Sequence, residues 1–355
     1  MNGSKSEFGL RGMRGKVTYP PFLRKENPPR NSPPRLLFTS TMPSPVTRLL
    51  GQGCLRIDRS RQGKQEAPIV SERIAVRLKD CPGFESFLSQ PLDGGVALWW
   101  LGQSGFALRH GNLLILIDLY LSDHLAKKYS GAEFSHERMM AAPVRPEKVR
   151  GLDFVFCTHR HSDHMDPGTL PVLQENNPDC KFLVPRAELG HALGMGLKEE
   201  RTIGLNDGER LELGAEASVE AVAAAHEDLM TNPNGEHHFL GYLFRFGGIR
   251  IYHSGDCVPY NGLEDRLRDK GIQLALLPVN GRDETRQSRG IVGNFTLEEA
   301  LGLCDRLDIP HTIGHHFGMF DFNTLSPVEA TRKLESLKPK VRCHLPEVGW
   351  FYMLS

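Results

Sequence analysis

The stretch that most constrains this chain is Thr158-His159-Arg160-His161-Ser162-Asp163-His164-Met165-Asp166. The short run Asp153-Phe154-Val155-Phe156-Cys157 precedes it and reads as a buried strand. Pro167-Gly168-Thr169-Leu170 follows, and here Asp166 as N-cap and Pro167 in the first turn predict a helix near 168–176. Three imidazoles and one carboxylate therefore share one strand-to-helix turn. Alternation sends His159 and His161 one way and lets Asp163 and His164 turn another, which suits two adjacent metal ions. A solvated histidine-rich loop is the bland alternative. Four ligand-type side chains in six positions directly after a buried strand weigh against it.

Charge and cysteine usage narrow the class. The chain carries 43 basic and 43 acidic residues, but residues 1–50 hold nine Lys/Arg against Glu7 and Glu26, a balance of +7. The rest, with 34 basic and 41 acidic residues, is at −7 and disfavours a nucleic-acid-binding face. Seven cysteines are dispersed without CxxC spacing, as expected of free thiols in a reducing compartment. No apolar run is long enough for a membrane span and no secretory core is evident at the start, so a cytoplasmic protein is expected.

Residues 1 to about 65, with Pro20-Pro21, Pro28-Pro29 and Pro33-Pro34, are expected to be disordered, because their apolar surface cannot offset the ordering entropy. The prolines also spoil the amphipathic helix that a transit peptide would need. Residues 66–95 read as a short, mostly helical lead-in, and one domain is expected over 96–355. Strand-like runs at 96–101, 105–109 and 113–118 form a meander. Helices are expected near 186–194, 296–307 and 326–337, and strands at 182–184, 210–213, 218–224, 239–246, 249–253, 274–277, 311–314 and 350–353. Two runs of strands, each followed by helices, imply two packed sheets with helices outside; no internal sequence repeat is found.

Further ligand types recur at strand ends: His226 after 219–223, Asp256 after Ile251-Tyr252-His253-Ser254-Gly255, and His315-His316 after His311-Thr312-Ile313-Gly314. One expected site is His159, His161 and His226; the other is Asp163, His164 and His315, with Asp256 bridging. His316 is expected to face the pocket as a donor, and Asp118 to orient a histidine by hydrogen bonding. His237 and His238 read as loop residues.

These residues resemble the metallo-β-lactamase superfamily, on His159-x-His161-x-Asp163-His164 with later His226, Asp256 and His315. The resemblance, over about residues 95–355, implies an αββα sandwich and a dinuclear site. Within the superfamily the chain is similar to the L-ascorbate-6-phosphate lactonase group, on Trp99-Trp100-Leu101-Gly102-Gln103-Ser104-Gly105, Tyr252-His253-Ser254-Gly255-Asp256, His315-His316, Asn280-Gly281-Arg282 and Gly293-Asn294.

The chemistry then expected is opening of a lactone of a small sugar acid, phosphorylated or not, by hydroxide held between two divalent ions. Manganese follows from the lactonase resemblance and zinc from the histidine-rich donors; iron is compatible. Asp163 would hold the attacking water and take its proton. Arg282 and Arg286, with Asn280 and Asn294, are the candidate phosphate grip, and Arg289 the weakest member of that loop. The rival on the same metals is a phosphodiesterase acting on a phospholipid or a nucleotide. A di-iron redox protein would more naturally carry a carboxylate at position 161. The expected partner is a small molecule, with neither nucleic acid nor membrane; self-association is compatible with the sequence.

Overall fold

The computed structural model describes residues 57–58, 77–78, 84–89, 91–214, 216–348 and 351–355. In chain order the elements are β1 (Ile57–Asp58), β2 (Arg77–Leu78), α1 (Phe84–Ser89), β3 (Leu92–Gly102), β4 (Gly105–Gly111), β5 (Leu113–Ile117), α2 (His124–Lys128), β6 (Phe154–Phe156), α3 (Leu170–Asn176), β7 (Lys181–Pro185), α4 (Leu189–Gly194) and β8 (Thr202–Leu205). Then come β9 (Arg210–Gly214), β10 (Ala217–Ala223), β11 (Leu240–Phe246), β12 (Ile249–His253), α5 (Leu263–Leu267), β13 (Leu274–Pro278), α6 (Glu284–Ser288), α7 (Leu297–Arg306), β14 (His311–His315), α8 (Pro327–Leu337), β15 (Arg342–His344) and β16 (Phe351–Leu354).

The strands form two eight-stranded mixed sheets, in the orders β2-β16-β3-β4-β5-β6-β7-β8 and β1-β9-β10-β11-β12-β13-β14-β15. In the first, β3, β4 and β5 are antiparallel and β5 to β8 run parallel. The second repeats this plan, antiparallel through β10, β11 and β12 and parallel from β12 to β15. Period-two alternation explains the layers. Val96, Leu98 and Trp100 of β3 join a core with Val219 of β10 and Phe244 of β11, whereas Ala97, Trp99 and Leu101 face a second core under α1 and α3. Phe156 bridges the sheets, its ring 5.0 Å from those of both Tyr242 and Phe244. This is the αββα sandwich.

The parallel strands end at one edge, and their loops carry the ligand-type residues. α7 begins on a capping box, Thr296 with Glu299, as its sequence predicts. α3 starts at Leu170, later than expected. Asp166 instead closes the preceding turn: its side chain accepts from Gly168 N, Thr169 Oγ1 and Ser122 Oγ. The short edge strands β8 and β15 have no strong alternation and were not anticipated.

Residues 1–56, most of the expected disordered segment, lie outside the described residues. Ile57–Asp58, within that segment, instead pairs with β9. The expected helical lead-in holds α1 and also the two-residue β2, which pairs with β16. Cys157, Cys180, Cys257, Cys304 and Cys343 are free; Cys54 and Cys81 lie outside the described residues. Among the described residues no helix is long and apolar enough to cross a membrane.

Candidate metal centre

Strand β6 delivers the histidine turn. Thr158 anchors it to the neighbouring strand end, its N–H donating to Asp118 Oδ1 at 2.8 Å and its hydroxyl to Asp118 Oδ2 at 2.7 Å. With that hydroxyl hydrogen spent, Thr158 Oγ1 accepts from His159 Nδ1 at 3.0 Å. His159 Nε2 is then a bare lone pair, 2.9 Å from His161 Nδ1. On the other side, His164 Nδ1 donates to Asp118 Oδ2 at 2.7 Å. Its Nε2 lies 3.2 Å from Asp256 Oδ1 and 3.6 Å from Asp163 Oδ2.

Asp256 is brought in by the Ser254-Gly255-Asp256 turn after β12. Gly255 is required there: its φ is +62°, and a Cβ would stand 2.6 Å from Thr158 Cβ. His226, from the loop after β10, places Nε2 3.6 Å from Asp256 Oδ2. His316 places Nε2 3.1 Å from the same oxygen and 3.7 Å from Asp163 Oδ2. Three donor groups result, each with all ligand atoms within 4.8 Å of one another: His159, His161 and His226; His159, His164 and Asp256; Asp163, His164 and His316.

His315 requires a correction: the structure brings His316 into the second group in its place. Strand alternation turns His315 inward, where Nδ1 meets Ser104 Oγ at 3.1 Å and the ring stacks on His253 at 4.9 Å. His316, one residue past β14, adopts φ +59° and hydrogen-bonds through its N–H to Gln103 O. The left-handed turn swings its imidazole to the cluster. His316 therefore stands with the ligand types.

Electrostatics fit a bound cation. Burial would raise the Asp163 and Asp256 carboxyls, but His164 and His316 outweigh it and hold both below their ordinary range. Burial alone would depress His164; Asp256, Asp118 and Asp163 reverse this and raise it. Burial, with His226 adding, lowers His161 to about 4. His164 Nε2 and Asp256 Oδ1 are buried without a hydrogen-bond partner. Such groups are costly to bury unless something positive sits between them. Nitrogen-rich donors on one side and carboxylate-rich donors on the other fit divalent metal ions.

The residues of the expected phosphate grip lie together, but both arginines are already engaged within the protein. Arg282 is engaged fork-to-fork by Glu299, at 2.6 and 2.7 Å, and also donates to Asn294 O. Arg286 bonds Asp283, Asn280 O and Asn323 Oδ1. Arg289 pairs with Glu133 and lies over the Phe134 ring. Asn280 and Asn294 are buried and joined to each other, with Asn280 also bonded to Asn323. The sequence signal, three arginines in a loop, did not reveal that carboxylates elsewhere in the chain would claim two of them. His237 and His238 lie in the loop before β11, bonded to Asn206 and Glu188. Two residues that carry no ligand signal in the sequence also reach the cluster: Phe239, packed against His159 and His226 at 5.2 and 5.4 Å, and Gln103, bonded to Asp163.

A family model described as a β-lactamase superfamily domain matches residues 115–317. Among curated proteins the chain is similar to the probable L-ascorbate-6-phosphate lactonase UlaG of Escherichia fergusonii, 22% identical over 308 residues, covering 77% of this chain and 85% of that protein. Among solved structures it is similar to an isothiocyanate hydrolase from Delia radicum gut bacteria, with TM-score 0.58, 17% identity and coverage of 73% and 99% of the two chains. It is also similar to Igni18, a metallo hydrolase from Ignicoccus hospitalis, with TM-score 0.53, 20% identity and coverage of 74% and 99%. At these identities the structural likeness speaks for the fold, and function has to be argued from the site.

Proposed function

We propose, from the premise that this chain belongs to the β-lactamase superfamily and is a metal-dependent hydrolase, that it opens the lactone ring of a small sugar acid at a two-metal centre. The observation that carries the reading is the convergence of imidazole nitrogens and carboxylate oxygens from four separate strand-end segments on a single patch, with His164 Nε2 and Asp256 Oδ1 buried and unpartnered there. His159, His161 and His226 would hold one ion, and Asp163, His164 and His316 the other, with Asp256 between them. Ions held there supply Lewis acidity, acidifying water and polarising the bond under attack. In this reading Asp163 would orient the attacking water and accept its proton. Asp118 locks His164 in the tautomer that presents Nε2.

The lactone is favoured because the curated relative at 22% identity is named as a probable lactonase. A phosphate on the substrate finds less support, since Arg282 and Arg286 are engaged within the protein. The partner in this reading is a small molecule. The test is hydrolysis of sugar lactones, with and without phosphate, beside phosphodiesters, by metal-stripped protein given back zinc or manganese. Lactone turnover restored by one metal is expected. Phosphodiester turnover in its place would overturn the substrate class and keep the metal centre.

A further inference from the structure

Gln103 stands in the turn between β3 and β4, 1% exposed and at φ +50°. Non-glycine residues rarely adopt this backbone, and where they do the local cost has to be met by surrounding structure. Gln103, Asp118 and His316 all have positive φ and all meet at the metal centre. The Gln103 carbonyl accepts from Trp100 Nε1 at 3.0 Å and from His316 N at 2.9 Å, so its main chain is pinned from two sides.

The side chain then reaches the cluster. Its Nε2 donates to Asp163 Oδ2 at 2.9 Å and lies 3.1 Å from His316 Nε2. An ionised carboxylate only accepts, so the atom facing Asp163 is the amide nitrogen and not its oxygen. One amide hydrogen is used there; the other faces His316 Nε2, the atom that would ligate an ion. If that nitrogen ligates a cation, the second hydrogen of this buried amide loses its acceptor. A substrate oxygen arriving beside Asp163 and His316 would restore it.

We propose that Gln103 donates a hydrogen bond to the substrate oxygen on which negative charge develops, beside Asp163 and His316. This rests on the metal-dependent reading above. The ligand class recognised is an oxyanion, and the donor is preorganised by its pinned main chain.

Inorganic phosphate is the probe. Wild-type, Gln103→Leu and Gln103→Glu proteins are loaded with zinc, their metal content is measured by mass spectrometry, and phosphate binding by titration calorimetry. Gln103→Leu is expected to keep its zinc and bind phosphate roughly tenfold more weakly, the loss for one hydrogen bond to a charged acceptor. Gln103→Glu, which sets an anion in the same place, is expected to bind more weakly still, and carries the test alone if Gln103→Leu does not fold. Binding requires no turnover, so a mistaken substrate class would leave the phosphate difference intact. Equal affinity in all three proteins, or no phosphate binding by zinc-loaded wild type, overturns the proposal. Loss of zinc from both variants overturns it too, because Gln103 would then serve the metal and not the substrate.

Discussion

The two halves of the sandwich are built on one plan and put to different uses. Asp118 follows β5 and Asp256 follows β12, strands that hold the same place at the switch from antiparallel to parallel pairing. Both carboxylates are buried. Asp118 has its oxygens taken by Thr158 N, Thr158 Oγ1 and His164 Nδ1. Asp256 Oδ1 has no hydrogen-bond donor of its own and stands before His164 Nε2. The next strand end shows the same contrast: β6 leads to His159–His164, whereas β13 leads to Asn280-Gly281-Arg282, closed by Glu299. Topological position brings a polar group to the sheet edge. Whether it coordinates depends on how many donors already face it.

The largest effect should come from Asp256→Asn. It is expected to cost more metal affinity than the roughly 10–100-fold typical of an orienting partner, whereas Asp118→Asn should fall within that range. Equal losses, followed by metal titration, would erase the distinction between the two halves. Next comes the pair at the end of β14. His316→Ala should release metal from the protein, while His315→Asn should keep its full stoichiometry and lose stability through the Ser104 and His253 contacts. The reverse result would restore His315 as the ligand.

A smaller effect concerns the strands themselves. β3 buries Trp99 outward against Phe84 and Phe87 of α1, but β10 carries Glu220 outward among Arg210, Arg245 and Lys270. Burial would raise the Glu220 carboxyl; Lys270, Arg210 and Arg245 overcome this and lower it. A carboxyl held lower in the folded state stabilises fully above the ordinary glutamate value of about 4.3 and loses that contribution as pH falls through its folded value. Glu220→Gln is expected to cost about 1.5 kcal/mol at pH 7, the scale of a charge-assisted hydrogen bond to partly exposed partners. The gap from wild type in urea melts should narrow below about pH 4.3; a constant gap would refute the charge explanation.

The smallest effect should be Arg282→Ala. Its pair with Glu299 is partly exposed, so about 1 kcal/mol of stability is expected, with KM unchanged for phosphorylated and plain lactones alike. A rise in KM confined to the phosphorylated substrate would return Arg282 to the binding site.

Much of this was open to reading along the chain. A dense histidine turn after an apolar run, and carboxylates or imidazoles after later apolar runs, are local patterns, because strand ends and turns are specified by neighbouring residues. The family resemblance stood on the same residues. The αββα layering followed from the order of strand and helix signals, although the shared plan of the two halves left no sequence repeat behind. Short edge strands such as β8 and β15 carried too little pattern to announce themselves, and β16 pairs with β3 across more than 250 positions.

The sequence by itself determined which residue types would stand at the sheet edge and that they would favour metal. Tertiary structure alone decided which of two adjacent histidines faces the cluster, because a left-handed turn at His316 interrupts strand alternation. It also decided that Arg282 meets a carboxylate seventeen positions later before it can meet a ligand. Both outcomes depend on partners distant in sequence, whose hydrogen bonds and charges exist only once the chain has folded.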